Sequence, residues 1–306
     1  MQKERKTIRH AVVGQCVKAQ DQPVIWELIK EISGILKVDP PQHLVLGLNA
    51  EFFVSEANVI CLDGELTGRT IHLSLPFCRI LSINELKAIL FHEFGHYIGK
   101  ETRYLTLFNP IYRNIHDFIV QLSMWPRRRW FSPSWIALLP TGYLLNSFIN
   151  CFSTIERSIN RNQELVADAL AASMTKANTF GIALVKIHSF ASLSLIAALK
   201  QKIKVPSEGK KILNSSQYFA LLVSKFGGSI SFEKISHSKQ TGQRRFTASH
   251  PPLKERLEFI GTSIAACAEG ARVTCPVEPA SMLIANYEAI EEYLTKAKTQ
   301  QALDKK

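Results

Sequence analysis

No two of the six cysteines (Cys16, Cys61, Cys78, Cys151, Cys267, Cys275) form a Cys-x-x-Cys pair. That argues against a zinc ribbon or a thioredoxin-type centre. Their mostly apolar neighbours predict buried, free thiols, as in a reducing compartment. An apolar run of signal-peptide length is also missing. After the charged Lys3, Glu4, Arg5, Lys6 and Arg9, only Ala11 to Val13 precede Gly14 and Gln15, so the cytoplasmic side is expected. There is no low-complexity tract and no internal repeat, which sets aside disordered linkers and solenoids. Acidic residues are scarce against basic ones, 26 to 37, giving a formal charge of +11 at pH 7. Such an excess suits nucleic acid, an anionic membrane or an acidic partner. With no nucleic-acid module beside it, nucleic acid is set aside and a membrane surface is the expected partner.

The most informative residues present are His92-Glu93-Phe94-Gly95-His96. On a helix, residues four apart share a face, so both imidazoles can reach one Zn²⁺. Glu93, one step round, is placed to hold a water and accept its proton. Five residues can match by accident, so the surroundings decide. Ser82 and Glu85 form a Ser-x-x-Glu capping box, and Leu86, Ile89, Leu90, Phe94, Tyr97 and Ile98 follow with helical period. Gly99-Lys100 is the expected stop. Gly95 costs such a helix about 1 kcal/mol relative to alanine, and its expected purpose is the close approach of another backbone or of the third ligand.

Upstream, Val24, Ile25, Leu28, Ile29, Ile32, Ile35 and Leu36 mark an amphipathic helix ending by Pro40-Pro41. Short β-like runs follow at residues 43–48, 52–54, 59–62 and 70–75, with a turn at Asp63-Gly64. Beyond Ser82 the chain reads as helical, except for a polar, basic stretch over 233–249, taken as a mobile loop. The expected fold is α+β and mostly helical: one domain over residues 1–306, with a small sheet beside the His92–His96 helix. The strand from Arg69 to Leu75 is expected beside the metal, where, as an edge, it would hold a protein or peptide substrate by β-addition.

A catalytic zinc needs a third protein ligand. Glu101, Glu156, Glu164 and several histidines are candidates. Glu101 follows too closely for the chain to fold back. Glu164 lies in a strong helix pattern with Asp168 one turn on, where Asp168 could accept the free N–H of a ligating histidine. His188, among Ile187, Phe190 and Leu193, reads as a core histidine.

His92-Glu93-x-x-His96, then Glu164-x-x-Ala167-Asp168, then Ser249-His250-Pro251-Pro252 with Arg256, resembles the HtpX and CAAX prenyl-protease family of zinc metallopeptidases, over about residues 69–257. The resemblance implies a gluzincin fold, one catalytic Zn²⁺ per chain and endopeptidase activity on protein substrates. It implies His92, His96 and Glu164 as ligands, Glu93 as general base and Asp168 as support for the ligands. His250 would lie near the active site, or else begin a helix with its prolines. The alternative class is a non-cleaving zinc protein that binds peptides as a chaperone or adaptor; the intact Glu93 favours the enzyme.

Residues 104–155, between the zinc motifs, form an apolar insertion. Within it residues 130–155 carry no charge and follow Arg127-Arg128-Arg129, but Pro140, Gly142, Asn146 and Asn150 punctuate them. His96 and Glu164 must meet at one metal, so a single crossing would part them, and two spans need about 40 residues. Using residues 104–124 as the other leg would bury Arg113 and Asp117. A re-entrant or surface-lying segment, or a hairpin packed on the domain, is expected instead.

Overall fold

Ile25, Trp26, Leu28, Ile29 and Ile32 recur at helical spacing and bury one face of helix α1, Pro23–Leu36. Pro23 lies in the first turn, where its missing N–H has no helical partner to lose. Lys37, in the left-handed region, closes the helix three residues before Pro40. A computed structural model describes residues 9–98, 117, 133–203, 214–229, 232 and 251–303. The stretch expected to be a loop, 233–249, lies outside them, as does most of the first part of the insertion, 104–132.

Among the described residues seven short strands form two sheets: β1 Arg9–Ala11, β2 Gly14–Val17, β3 His43–Gly47, β4 Phe53–Ser55, β5 Asn58–Cys61, β6 Gly64–Leu66 and β7 Thr70–Ser74. The larger has the order β2-β3-β7-β4, parallel only between β3 and β7; the smaller is β1-β5-β6. Gly64, with φ 115°, supplies the turn expected at Asp63-Gly64. Strands β1 and β2 escaped the sequence reading because glycine interrupts a very short apolar run there. One expectation is corrected. The strand read as Arg69 to Leu75 is not an edge: β7 pairs with β3 on one side and β4 on the other. The return of Phe53–Ser55 antiparallel to β7 passes the outer edge to β4.

The helices follow: α2 Leu75–Cys78, α3 Ile83–Ile98, α4 Pro133–Met174, α5 Ala177–Ile203, α6 Ser215–Phe226, α7 Leu253–Phe259, α8 Ile264–Arg272 and α9 Tyr287–Leu303. The fold is therefore α+β and mostly helical. Leu44, Leu46, Ile71 and Leu73 from the larger sheet share one core with α1, α3 and α5. On the other face Val12, Val45, Val59 and Cys61 join the two sheets. The C-terminal segment is anchored to the start of α3: Ala280 N donates to Leu81 O, and Ile83 N to Glu278 O. Arg79 and Asn214 both donate to the fully buried Glu291 of α9. All six cysteines are free; Cys61, Cys78 and Cys267 are buried, Cys16 is half-buried, and Cys151 and Cys275, against expectation, are exposed.

Residues 133–155 do not turn back on themselves. They are the first half of α4, which runs unbroken through Pro140 to Met174. A proline removes one backbone bond, and the helix-forming Leu, Ala and Ile around it carry the helix on.

His72, in the middle of β7, is fully buried. Its Nδ1 is 3.0 Å from the Glu51 carbonyl, and its ring stacks on Phe53 at 4.9 Å. Gly47 across the ladder leaves room for the imidazole, since a Cβ there would collide with Nε2. Burial holds the His72 pKa down, to about 4. The unfolded chain binds this proton from about pH 6.5 and the folded one only near 4, so acidification favours unfolding. Between pH 7.5 and 5 this histidine should remove about 2 kcal/mol of stability. Denaturant titrations of metal-free wild type and His72→Phe at both pH values test this. Equal losses in the two proteins would remove His72 as the cause.

Candidate metal centre

Helix α3 starts as its sequence announces: Ser82 N donates to Glu85 Oε2 at 2.8 Å, and Glu85 N to Ser82 Oγ at 3.2 Å. Glu85 Oε2 also receives the buried Lys186 Nζ at 2.9 Å, tying the start of α3 to α5. Three turns on, the helix presents His92 and His96 side by side, with Nε2 atoms 3.3 Å apart.

The third donor comes from α4. Glu164 Oε2 lies 3.6 Å from His92 Nε2, and Oε1 lies 3.5 Å from His96 Nε2. Gly95 permits this approach: a Cβ there would sit 3.2 Å from Ala167 Cβ and 3.3 Å from Ala167 Cα. Of the two purposes considered for this glycine, the crossing helix is the one found. Donors held 2.0–2.1 Å from one tetrahedral ion lie about 3.3–3.4 Å apart. The two imidazole nitrogens meet that requirement, and Glu164 approaches each histidine with a different carboxylate oxygen. With one donor atom from each residue all within 4.8 Å of one another, His92, His96 and Glu164 could hold a metal ion.

Around this trio lies a shell of charge. Asp168, fully buried one turn after Glu164, has Oδ1 2.9 Å from His92 Nδ1. Arg256, from α7, donates Nε to Asp168 Oδ2 at 2.8 Å and Nη2 to Oδ1 at 2.6 Å. Against the upward push of burial, Arg256 and His92 hold the Asp168 carboxyl below its usual range. Glu93 is half-buried, and desolvation raises its carboxyl pKa against the pull of His92 and His96. Phe180 of α5 stacks on His92 with ring centres 5.5 Å apart and closes the back of the site.

Of the residues singled out from the sequence, His92, Glu93, His96, Glu164 and Asp168 thus come together. His250 and Glu101 lie outside the described residues. Glu156 is eight residues before Glu164 on α4, about 12 Å along the axis. His188 Nδ1 sits 3.1 Å from the Leu184 carbonyl of its own helix, away from the cluster. Arg256 was noticed as part of a motif but given no task. Its signal was present: Leu253, Arg256 and Leu257 fall on one helical face, and a charge inside an apolar stripe needs a buried partner. Phe180 had no signal beyond being aromatic.

A family profile described as Peptidase family M48 matches residues 54–263. Curated relatives include a Protease HtpX homolog of Archaeoglobus fulgidus, 24% identical over 252 residues, covering 79% of this chain and 68% of that protein. A second, from Pyrobaculum aerophilum, is 20% identical over 256 residues, with 79% and 68% covered. A third, from Pyrobaculum calidifontis, is 20% identical over 266 residues, with 81% and 70% covered. No solved structure matches significantly.

Proposed function

Since the chain belongs to peptidase family M48, we propose that it is a zinc-dependent endopeptidase of protein substrates in which His92, His96 and Glu164 hold the ion and Glu93 is the general base. The observation carrying this reading is the convergence of three metal-ligating side chains from two helices, with one donor atom from each all within 4.8 Å of one another. Charge supports it too. Three carboxylates, Glu93, Glu164 and Asp168, gather around one buried guanidinium, Arg256, an acidic excess that a divalent cation would balance. Bound there, zinc would polarise the scissile carbonyl and lower the pKa of a water towards about 7.

The chain's own groups would do the rest. Glu93 takes the attacking water's proton and delivers it to the leaving amine. Asp168, with Oδ1 2.9 Å from His92 Nδ1, would keep the proton on that nitrogen and leave Nε2 for the ion. An extended peptide would add along the outer edge of β4, Phe53–Ser55, beside α3. Removing metal with a chelator should abolish digestion of an unfolded, alkylated protein, and one equivalent of zinc should restore it. Undiminished digestion by metal-free protein would sink the zinc reading. Bound zinc without digestion would favour the peptide-binding alternative.

The outward face of α4 supports a second element, contact with the anionic cytoplasmic leaflet. Leu144, Phe148, Cys151, Ile159 and Val166 are exposed, and their spacings of four, three, eight and seven residues place them on one helical face. Glu164 lies on the opposite side of the helix, and the chain's formal charge of +11 suits an anionic surface. No helix among the described residues is both long and apolar enough to cross a membrane, so the contact proposed is a surface one. Phosphatidylserine vesicles should float the wild type and release a Leu144→Glu, Phe148→Glu variant. Equal flotation of both would exclude this face.

A further inference from the structure

Helix α7 is clasped to the metal-binding helix at two points. At the surface Arg161 Nε donates to Glu255 Oε1 at 2.7 Å; inside, Arg256 grips both oxygens of Asp168. Arg256 is 4% exposed, and its Nη2 lies 3.6 Å from Glu164 Oε2. One guanidinium therefore touches the carboxylate that orients His92 and reaches towards the carboxylate completing the trio. We propose that Arg256 is a positioning residue whose two-pronged hold on Asp168 couples the docking of α7 to metal binding at His92, His96 and Glu164. This deepens the zinc reading and rests on it.

An imidazole bonds a metal through one nitrogen only when the proton is kept on the other. Asp168 Oδ1, 2.9 Å from His92 Nδ1, is the group placed to keep the proton there, but a carboxylate held by that contact alone could rotate away. The guanidinium fork fixes the plane of the carboxylate and keeps Oδ1 in place. It also supplies positive charge where Glu93, Glu164 and Asp168 gather. Lysine would bring the charge without the fork. If α7 docking favours the metal, then by linkage the metal must favour α7 docking to the same degree.

Two measurements on the full chain test this. Zinc affinity, by competition with a chromophoric chelator, should fall at least about tenfold in Arg256→Lys, within the usual range for a group supporting a ligand. In wild type, adding zinc to metal-free protein should raise amide-exchange protection over Leu253–Phe259 together with residues 92–96. A merely structural arginine would change the stability of the variant but leave both readouts alone. Arg256→Lys affinity within twofold of wild type would overturn the role of the fork. Protection rising at 92–96 but not over α7 would overturn the coupling, and needs no variant that folds. Wild type that binds no zinc would instead fail the zinc reading itself.

Discussion

Glu93→Gln should lower kcat/KM for peptide hydrolysis by at least about 10²–10⁴-fold while one zinc stays bound. The substitution keeps the shape of the side chain and removes its ability to take a proton. His92, His96 and Glu164 are untouched, and the Asp168 contact to His92 does not involve Glu93. Burial disfavours the charged form of Glu93, so loss of its charge should not unfold the protein. Metal content and steady-state kinetics on the same preparation separate the two roles. A variant that cleaves at the wild-type rate removes Glu93 as the base; one that loses its zinc makes it part of the metal's hold.

Gly95→Val carries the next largest effect, and it acts through packing. Even one methyl group at residue 95 would meet Ala167 Cβ, Ala167 Cα and Leu170 Cδ2 at 3.2–3.3 Å. Valine adds two more carbons on the face where α4 crosses. Overpacking of this kind costs about 1–3 kcal/mol. The strain should be relieved by parting α3 from α4, which draws Glu164 away from His92 and His96. Thermal unfolding should shift down, and zinc affinity should weaken by an order of magnitude or more. Gly95→Ala tests the same contact gently, because its gain in helix propensity of about 1 kcal/mol opposes a shift of a few tenths of an ångström. If Gly95→Val kept both wild-type stability and wild-type zinc affinity, the close crossing would not be what Gly95 is for.

These two predictions draw on different kinds of legibility. Glu93 could be read from five residues, because an i, i+4 pair and the residue between them are fixed relative to one another by any α-helix. Gly95 was conspicuous in the sequence as a glycine inside a helix, but the surface it admits belongs to a segment some 70 residues later. Of the strands from His43 to Ser74, β3, β4, β5 and β7 were legible for the same local reason as the helix, whereas the three residues of β6, exposed at Gly64 and Glu65, carried no apolar run to read. β7 was misjudged because whether a strand is central or an edge depends on which others pair with it. The run before Glu164 was misjudged as punctuated, since one proline weighs less in a long helix than in a short one.

What the sequence determined by itself is therefore what near neighbours decide: the capping box that starts α3, the two histidines on one face, the carboxylate beside them and the helical face carrying Glu164 and Asp168. The tertiary structure alone brought Glu164 to within 3.6 Å of both histidines, put β4 rather than β7 at an edge of the larger sheet, and buried Arg256 against Asp168, 88 residues away along the chain. The physical reason is range. Backbone hydrogen bonds and periodicity act over three or four residues, whereas a metal site and its charge balance exist only where separate elements pack together.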